Sequence, residues 1–288
     1  MTQLDPRIQV PLERLVGGTK RTVASVRGRL RSDDETVWPS FVLLGAQRCG
    51  TTSMFAYLSA HPLVVPPLLK EVHYFDVNNQ HPKSWYLGHF PSRSQLPAGG
   101  ITGEASPYYL LHPAVPERLQ AVLPDATLLV LLRDPVERAL SHHRHEVAKG
   151  HEDLSFAEAV AAEDARVGDD LERLAEDPTF QSHAVQHHTY VTRGFYADQL
   201  ERWEQVVGRD RLMVCNADEF FGDPDRIYND VLARLGLPAH HLDAYEARNT
   251  YRRSPMDEGL RSELASRFAD SNARVARWLG ETPDWTTP

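Results

Sequence analysis

Continuous apolar runs alternate with amphipathic stretches along most of the chain. The runs at 41–44 and 127–132 are typical of parallel strands buried on both faces, and weaker strand patterns occur at 101–104 and 211–215. Apolar residues at helical spacing predict helices at 51–60, 113–122, 135–149, 155–166, 195–207, 225–235 and about 257–279. Strands that alternate with helices form right-handed parallel sheets. The pattern therefore predicts a single α/β domain, with a parallel sheet flanked by helices.

Two segments stand out by their charge. Residues 1–38 contain seven basic residues and little apolar periodicity, which predicts a basic N-terminal arm, either a loop or a short helix packed on the body. The main domain is predicted at 39–288. Within it, residues 151–180 carry ten acidic residues against two arginines and predict an exposed, acidic helical insertion.

Composition and charge narrow the classes of protein and partner. The 288 residues are 41% hydrophobic and 25% charged, which excludes disordered, fibrous and membrane classes. A net charge of -9 disfavours nucleic acid and anionic lipid as partners. Cys49 and Cys215 lie far apart, no apolar run is long enough to span a membrane, and the first residues lack a signal peptide. We expect a cytoplasmic protein, with its oligomeric state left open.

The segment 45–52 joins a predicted strand to a predicted helix, where backbone amides and the helix dipole favour a phosphate. It nearly matches a Walker loop, but Thr51 stands where that loop has lysine, so ATP or GTP hydrolysis is disfavoured. Arg48 supplies the positive charge instead. A plain glycine turn before a helix is the alternative. Cys49 is expected to be a small loop residue, because a cysteine phosphatase needs arginine where Phe55 stands.

Two other segments carry candidate chemistry. Arg133 ends the most apolar strand and Ser141 lies two turns into the next helix, a pair that suits a second phosphate; an ion pair or helix cap with Asp134 is the alternative. The run 70–76 places Glu71 among aromatic residues, where a carboxyl group can act as a general base, or can simply form a surface salt bridge with Lys70. The 14 histidines complete no metal-ligand spacing, so no metal site is expected.

Together the motifs GAQRCGTTS, KEVHYFD and LLRDPVERALS resemble, in order and spacing, the signature of sulfotransferases that use 3′-phosphoadenosine 5′-phosphosulfate (PAPS). The resemblance is to the branch of the heparan sulfate N- and O-sulfotransferases. It extends from Phe41 to Glu219 and includes the segments 103–109 and 193–203. It implies a P-loop-like fold and metal-free sulfuryl transfer from PAPS, with 3′-phosphoadenosine 5′-phosphate (PAP) as the product. The acceptor would be a hydroxyl or amine of a carbohydrate, glycolipid or small natural product.

The resemblance also implies roles for individual residues. Glu71 would be the base, Arg48 would stabilise charge where the family usually has lysine, and His73 would support Glu71 or replace it as base. Ala105 departs from the family, several members of which have lysine there. Contacts with the nucleotide would come from Gln47, Arg48, Cys49, Gly50, Thr51, Thr52, Ser53, Arg133, Ser141, Tyr196, Arg252 and Arg253, and contacts with the acceptor from Lys70, His73, Ser106 and Tyr108. A P-loop small-molecule kinase and a catalytically silent nucleotide-binding protein are the alternative functions.

Overall fold

A four-stranded parallel sheet forms the centre of the molecule. The computed structural model describes residues 6–246, 256–283 and 285, with backbone only for 6–15. The strands lie in the order β2-β1-β3-β4, and every pair is parallel. Their bounds are β1 Phe41–Gly45, β2 Gly103–Ala105, β3 Thr127–Leu132 and β4 Leu212–Asn216. The predicted α/β fold, P-loop-like with helices around a parallel sheet, is confirmed.

Helices connect the strands and cover the sheet. Their bounds are α1 Pro6–Leu30, α2 Thr51–Ala60, α3 Lys83–Leu87, α4 Val115–Val122, α5 Pro135–Lys149, α6 Phe156–Val167, α7 Asp170–Glu176, α8 His183–His187, α9 Tyr196–Val207, α10 Ala217–Gly222, α11 Pro224–Arg234 and α12 Glu258–Leu279. The bounds predicted for α2 and α5 match the structure, and Gly150 ends α5 in the left-handed conformation as expected. No helix of the described residues is long and apolar enough to cross a membrane.

The N-terminal arm forms a longer helix than its weak periodicity predicts. Helix α1 is 25 residues long and packs on α3 through small residues rather than an apolar stripe. A Cβ atom at Gly28 would lie 1.8 Å from the carbonyl oxygen of Ser84, so only glycine allows this approach. Arg27 and Arg31 donate to backbone carbonyls of Leu87, Phe90 and Pro91. Two basic residues of the arm thus bind the protein's own backbone.

The acidic segment is helical, as predicted, but it is not wholly exposed. Glu163 on α6 is 1% exposed and accepts hydrogen bonds from the amides of Val191 and Thr192 at 2.6 and 2.7 Å. Glu152 is also buried and pairs with Arg166 at 2.6 Å. These carboxylates attach the segment to the body, so part of its negative charge stabilises the fold. The division into an arm and a main domain stays a prediction.

Parallel strands bring the ends of β1 and β3 to one edge of the sheet, where ligands of open α/β sheets bind. The loop 45–50 leaves β1 there, and the turn into α5 leaves β3 beside it. The backbone amide of Ala46 donates to Leu131 of β3 at 2.8 Å, which ties the loop to the neighbouring strand. The segments singled out from the sequence therefore meet at this edge.

Candidate active site

The loop of residues 45–50, called here the glycine loop, leads from β1 into α2. Gly50 begins α2 at φ +90°, and a Cβ atom there would lie 2.9 Å from the ring of Phe221. Both the conformation and the close packing require glycine. The first-turn amides of α2 have no partners within the helix, which is the usual arrangement of an anion site.

Arg48 connects the glycine loop to α5. Its Nε atom donates to Ser141 Oγ at 3.1 Å, across 93 residues of sequence. Arg48 adopts φ +73°, an uncommon conformation for a residue with a side chain. Ser141 keeps its own hydroxyl hydrogen for another acceptor. The residues predicted to bind the two phosphate groups are therefore in direct contact.

Two polar atoms beside the loop lack partners. Gln47 Oε1 and Arg133 Nε are buried without a hydrogen-bond partner in the part of the chain that the structure describes. Asp134 makes no hydrogen bond with Arg133 Nε. Its carboxylate instead caps α5 by accepting hydrogen bonds from the amides of Val136 and Glu137. The capping alternative thus holds for Asp134. A buried polar atom without a partner costs about 1–3 kcal/mol, which a ligand with complementary groups would recover.

Other predicted nucleotide contacts lie behind the loop. Cys49, Ser53 and Tyr196 are fully buried, and the cysteine sulfur lies 3.8 Å from the tyrosine hydroxyl. Burial raises the pKa of the Cys49 thiol, so it stays protonated, as expected of an inert loop residue. Its amide donates to Ala46 at 3.2 Å. The side chains of Cys49, Ser53 and Tyr196 therefore shape the loop from below and do not line the cleft.

Facing the loop, Glu71, His73 and Asp76 form a group called here the acidic wall. Glu71 contacts Lys70 Nζ at 2.6 Å and His73 Nε2 at 3.4 Å, while His73 Nδ1 lies 2.7 Å from Asp76 Oδ2. The segment is not an extended strand, and His73 has φ +54°. Glu71 and His73 nevertheless lie close to each other. The predicted salt bridge with Lys70 also forms, on a carboxylate that is 44% exposed.

These charges set the protonation of the wall. Burial alone would raise the pKa of Glu71, but Lys70 and His73 together hold it below its usual range. Burial would lower the pKa of His73, but Asp76 and Glu71 raise it to about 10. At neutral pH the wall therefore contains an ionised Glu71 that can accept a proton and a charged His73 that cannot.

Ser106 and Tyr108 have different surroundings from each other. Ser106 is fully buried; its hydroxyl donates to Glu104 at 2.8 Å and accepts from the amide of His73 at 3.2 Å. It therefore supports the backbone of the acidic wall and has no surface toward an acceptor. Tyr108 lines the cleft, with its ring 5.0 Å from the guanidinium of Arg193.

Glu104, below Ser106, also accepts a hydrogen bond from the hydroxyl of Tyr86 at 2.8 Å. Burial nevertheless raises the pKa of Glu104 to about 7.

A cleft of about 220 Å³ is lined by residues of both the glycine loop and the acidic wall. The predicted residues that it brings together are Gln47, Arg48, Thr51, Thr52, Glu71, His73 and Tyr108. Arg252 and Arg253 lie outside the described residues. The cleft also has a second wall that the sequence analysis missed, formed by His145, Glu146, Lys149, His151, Gln186, His187 and Arg193. The sequence does contain a sign of part of this second wall. Ser141, His145 and Lys149 lie four residues apart on α5 and so share one face of the helix.

Known proteins with similar sequences or structures agree on one family. The chain is 23% identical, over 86% of its length, to the membrane-associated sulfotransferase kil1 of Dictyostelium discoideum. Over the same share it is 26% identical to the human bifunctional heparan sulfate N-deacetylase/N-sulfotransferase 3. The crystal structure of a sulfotransferase from Alicyclobacillus acidocaldarius superimposes with a TM-score of 0.68 and 29% identity, covering 86% of this chain and 99% of that one. In sequence and in fold, the chain is therefore similar to sulfotransferases.

Within the sulfotransferases, the chain resembles the heparan sulfate N-sulfotransferase branch, as the motifs predict. It spans 66% of the Dictyostelium relative but only 31% of the human one, which is named for two activities. No family model matches the chain. Its likeness to sulfotransferases therefore comes from whole-chain similarity and from the fold.

Proposed function

We propose that this chain transfers the sulfuryl group of PAPS to a hydroxyl or amine of a carbohydrate, glycolipid or small natural product. The observation that carries the proposal is that Arg48 and Glu71 line the same cleft. A transferred group between them would have a cation behind its leaving oxygen and a carboxylate beside its acceptor. The relatives named as sulfotransferases support the same reaction.

The residues beside the loop fit a nucleotide with two anionic ends. Buried Gln47 Oε1 can accept a hydrogen bond, and buried Arg133 Nε can donate one. Arg48, Thr51 and Thr52, with the first amides of α2, suit the 5′-phosphosulfate. Arg133 and Ser141 suit the 3′-phosphate, because a guanidinium and a hydroxyl both donate. Arg252 and Arg253 stay in the proposal as nucleotide contacts from the resemblance alone.

PAPS supplies a sulfuryl group already activated by its bond to phosphate. By analogy with phosphoryl transfer, charge grows on the leaving oxygen in an in-line transition state. Arg48 stabilises that negative charge electrostatically. Its guanidinium keeps its protons, unlike the lysine that the family resemblance implies at this position. Glu71 accepts the proton of the acceptor. Charged His73 holds Glu71 in position and keeps it ionised, which favours Glu71 over His73 as the base.

The assignment is tested first by binding. In a thermal unfolding assay without Mg²⁺, PAP should stabilise the chain much more than ATP, which lacks a 3′-phosphate. Ligand at about 100 times its Kd adds about 2.7 kcal/mol to the free energy of unfolding, enough for a clear shift in Tm. Equal shifts from PAP and ATP would contradict the proposal and favour a P-loop kinase.

Transfer is tested second, with PAPS and a panel of carbohydrate, glycolipid and small-molecule acceptors. The expected result is PAP release that depends on one acceptor class and is lost in Glu71→Gln. PAP binding without transfer to any acceptor would favour the catalytically silent nucleotide-binding protein. The two assays separate the three functions, because the kinase fails the first and the silent protein fails the second.

A further inference from the structure

Three metal-binding side chains meet on the second wall of the cleft. His151 Nδ1 and His187 Nδ1 each lie 2.9 Å from the same oxygen, Oε2 of Glu146. The potential ligand atoms of these three residues, called here the Glu146 triad, all lie within 4.8 Å of one another. Across the residues with described positions, no other group of three or more such ligands comes this close.

The fold assembles the triad from two distant segments. Glu146 lies in the last turn of α5, and Gly150 turns the chain in the left-handed conformation so that His151 returns to it. The amide of His151 donates to the carbonyl of Glu146 at 2.9 Å, which fixes this return. His187 comes from the end of α8, 41 residues away in sequence. The positions of the three side chains are thus held by backbone structure.

Glu146 is held in place from behind. Its side chain is 3% exposed, and His142, one turn earlier on α5, places Nε2 3.4 Å from Glu146 Oε1. Packing against His142 restricts the movement of the carboxylate, while His142 Nε2 makes no hydrogen bond to any described residue. His151 and His187 are 28% and 19% exposed, so they face the cleft, which all three residues line. The triad therefore has a rigid base and an open front.

We propose that Glu146, His151 and His187 bind a divalent transition-metal ion, with zinc the best fit to the ligand set. Two imidazoles and one carboxylate are the protein ligands of one common type of zinc site, in which the fourth position stays open. Zinc bonds of about 2.0–2.2 Å at tetrahedral angles place ligand atoms roughly 3.3 Å apart. The nitrogen–oxygen distances of 2.9 Å need only a small outward movement to reach this spacing.

The open position of the ion faces the cleft, so a water molecule or a cleft ligand would complete the coordination. Sequence spacing alone predicts no metal site, because the triad includes residues from two helices and a turn. In the sequence, His151 is the first residue of the acidic segment 151–180, and His187 comes after that segment. The proposal concerns ion binding and does not depend on the sulfuryl-transfer reaction.

The test is calorimetric titration of the untagged, chelator-treated chain with Zn²⁺ alone. We expect one ion per chain. Changing an outer contact of a metal site typically weakens affinity about 10–100-fold, so His151→Gln and His187→Gln, which remove ligands, should lose at least as much. The matched control is His241→Gln, because His241 also contacts a carboxylate, Asp225 at 2.8 Å, but is 74% exposed and belongs to no three-ligand group among the described residues. It should bind zinc like the unchanged chain.

A second measurement distinguishes the loss of a metal ligand from the loss of folded structure. Each variant is first unfolded thermally without metal, and His151→Gln, at a partly exposed position, should keep its Tm. Cobalt titration should give the intense visible absorption of a four-coordinate site in the unchanged chain and in His241→Gln only. Absence of stoichiometric binding, or equal zinc affinity in folded His151→Gln, would overturn the proposal. So would stabilisation by inorganic sulfate and not by zinc, which would make the triad part of an anion site.

Discussion

The two sides of the cleft differ in how their polar groups are satisfied. On the glycine-loop side, Gln47 Oε1 and Arg133 Nε are buried without partners in the described structure. On the acidic wall, His73 contacts both Glu71, at 3.4 Å, and Asp76, at 2.7 Å. Missing partners reveal the chemistry of a ligand, whereas paired charges must be displaced or shared before a ligand can bind. The chain therefore indicates the chemistry of the proposed nucleotide more directly than that of the proposed acceptor.

The two sides share one property, which is backbone strain. The non-glycine residues with positive φ in the described part of the chain are Arg48 on the loop and His73 on the wall. Residues in this region persist only where the surrounding structure requires them, and they concentrate at functional sites. Both side chains line the cleft. Each side thus contributes one residue with positive φ to the lining of the same cleft.

The largest expected effect is on the acidic wall. Glu71→Gln keeps the shape of the side chain but removes the proton acceptor, so turnover should fall about 10²–10⁴-fold while the affinity for PAP is retained. Initial-rate assays with the identified acceptor and calorimetry with PAP would measure the two quantities. His73→Gln should cost less, because His73 is already protonated at neutral pH, with a pKa of about 10.

The same two variants also test the division of roles between the acidic wall and the glycine loop. An inactive His73→Gln beside an active Glu71→Gln would move the base to His73. Two active variants would mean that water removes the proton and that the acidic wall only positions the acceptor. Loss of PAP affinity in Glu71→Gln would mean that the wall takes part in nucleotide binding after all.

The second effect concerns the support beneath the acidic wall. Burial raises the pKa of Glu104 from 4.5 to about 7 in the folded chain. Between these values the unfolded chain has lost the proton that the folded chain keeps, so the free energy of unfolding falls as the pH rises. The loss is on the order of 3 kcal/mol, at 1.36 kcal/mol per pKa unit. Glu104→Gln should remove this slope.

Denaturant unfolding of both proteins at several pH values from 4.5 to 8 checks this prediction. The free energy of unfolding of Glu104→Gln, relative to that of the unchanged chain, should increase as the pH rises. Parallel curves for the two proteins would show that Glu104 titrates normally and that its burial has no electrostatic cost. In that case the bonds from Tyr86 and Ser106 would hold the ionised carboxylate.

The third effect is on the loop side. Arg133→Ala should weaken PAP binding roughly 13- to 160-fold, because a charge-assisted hydrogen bond contributes about 1.5–3 kcal/mol. Calorimetry measures the affinity, and Arg226→Ala is the control, because Arg226 is an exposed arginine that pairs with Glu219. Unchanged affinity in Arg133→Ala would make Arg133 a structural residue and remove the main contrast between the two sides.

The smallest effect is expected at Ser141. A neutral hydrogen bond contributes about 0.5–1.5 kcal/mol, so Ser141→Ala should weaken PAP binding roughly 2- to 13-fold. The same variant also removes the contact between Ser141 Oγ and Arg48 Nε, so the rate of transfer should fall modestly as well. A binding loss as large as that of Arg133→Ala would show that Ser141 acts mainly by holding Arg48 in place.

Sequence patterns predict most of the fold because they reflect local physics. The run 127–132 forms β3 as expected, since a strand buried on both faces must be apolar throughout. Helix α5 begins at Pro135 and ends before Gly150, because proline and glycine suit those ends. Helix α1 was underestimated, since it is held by the close approach of Gly28 to another helix and not by an apolar stripe.

The sequence by itself determined the strands, most helix ends, the glycine loop and the family resemblance, because each depends on residues close together in the chain. Only the tertiary structure decided that Arg48 meets Ser141, that Ser106 turns inward to Glu104, and that His187 joins Glu146. These contacts depend on how helices dock on the sheet. A rotation of one residue along a helix turns a side chain by about 100°, so sequence position alone leaves the direction of such groups open.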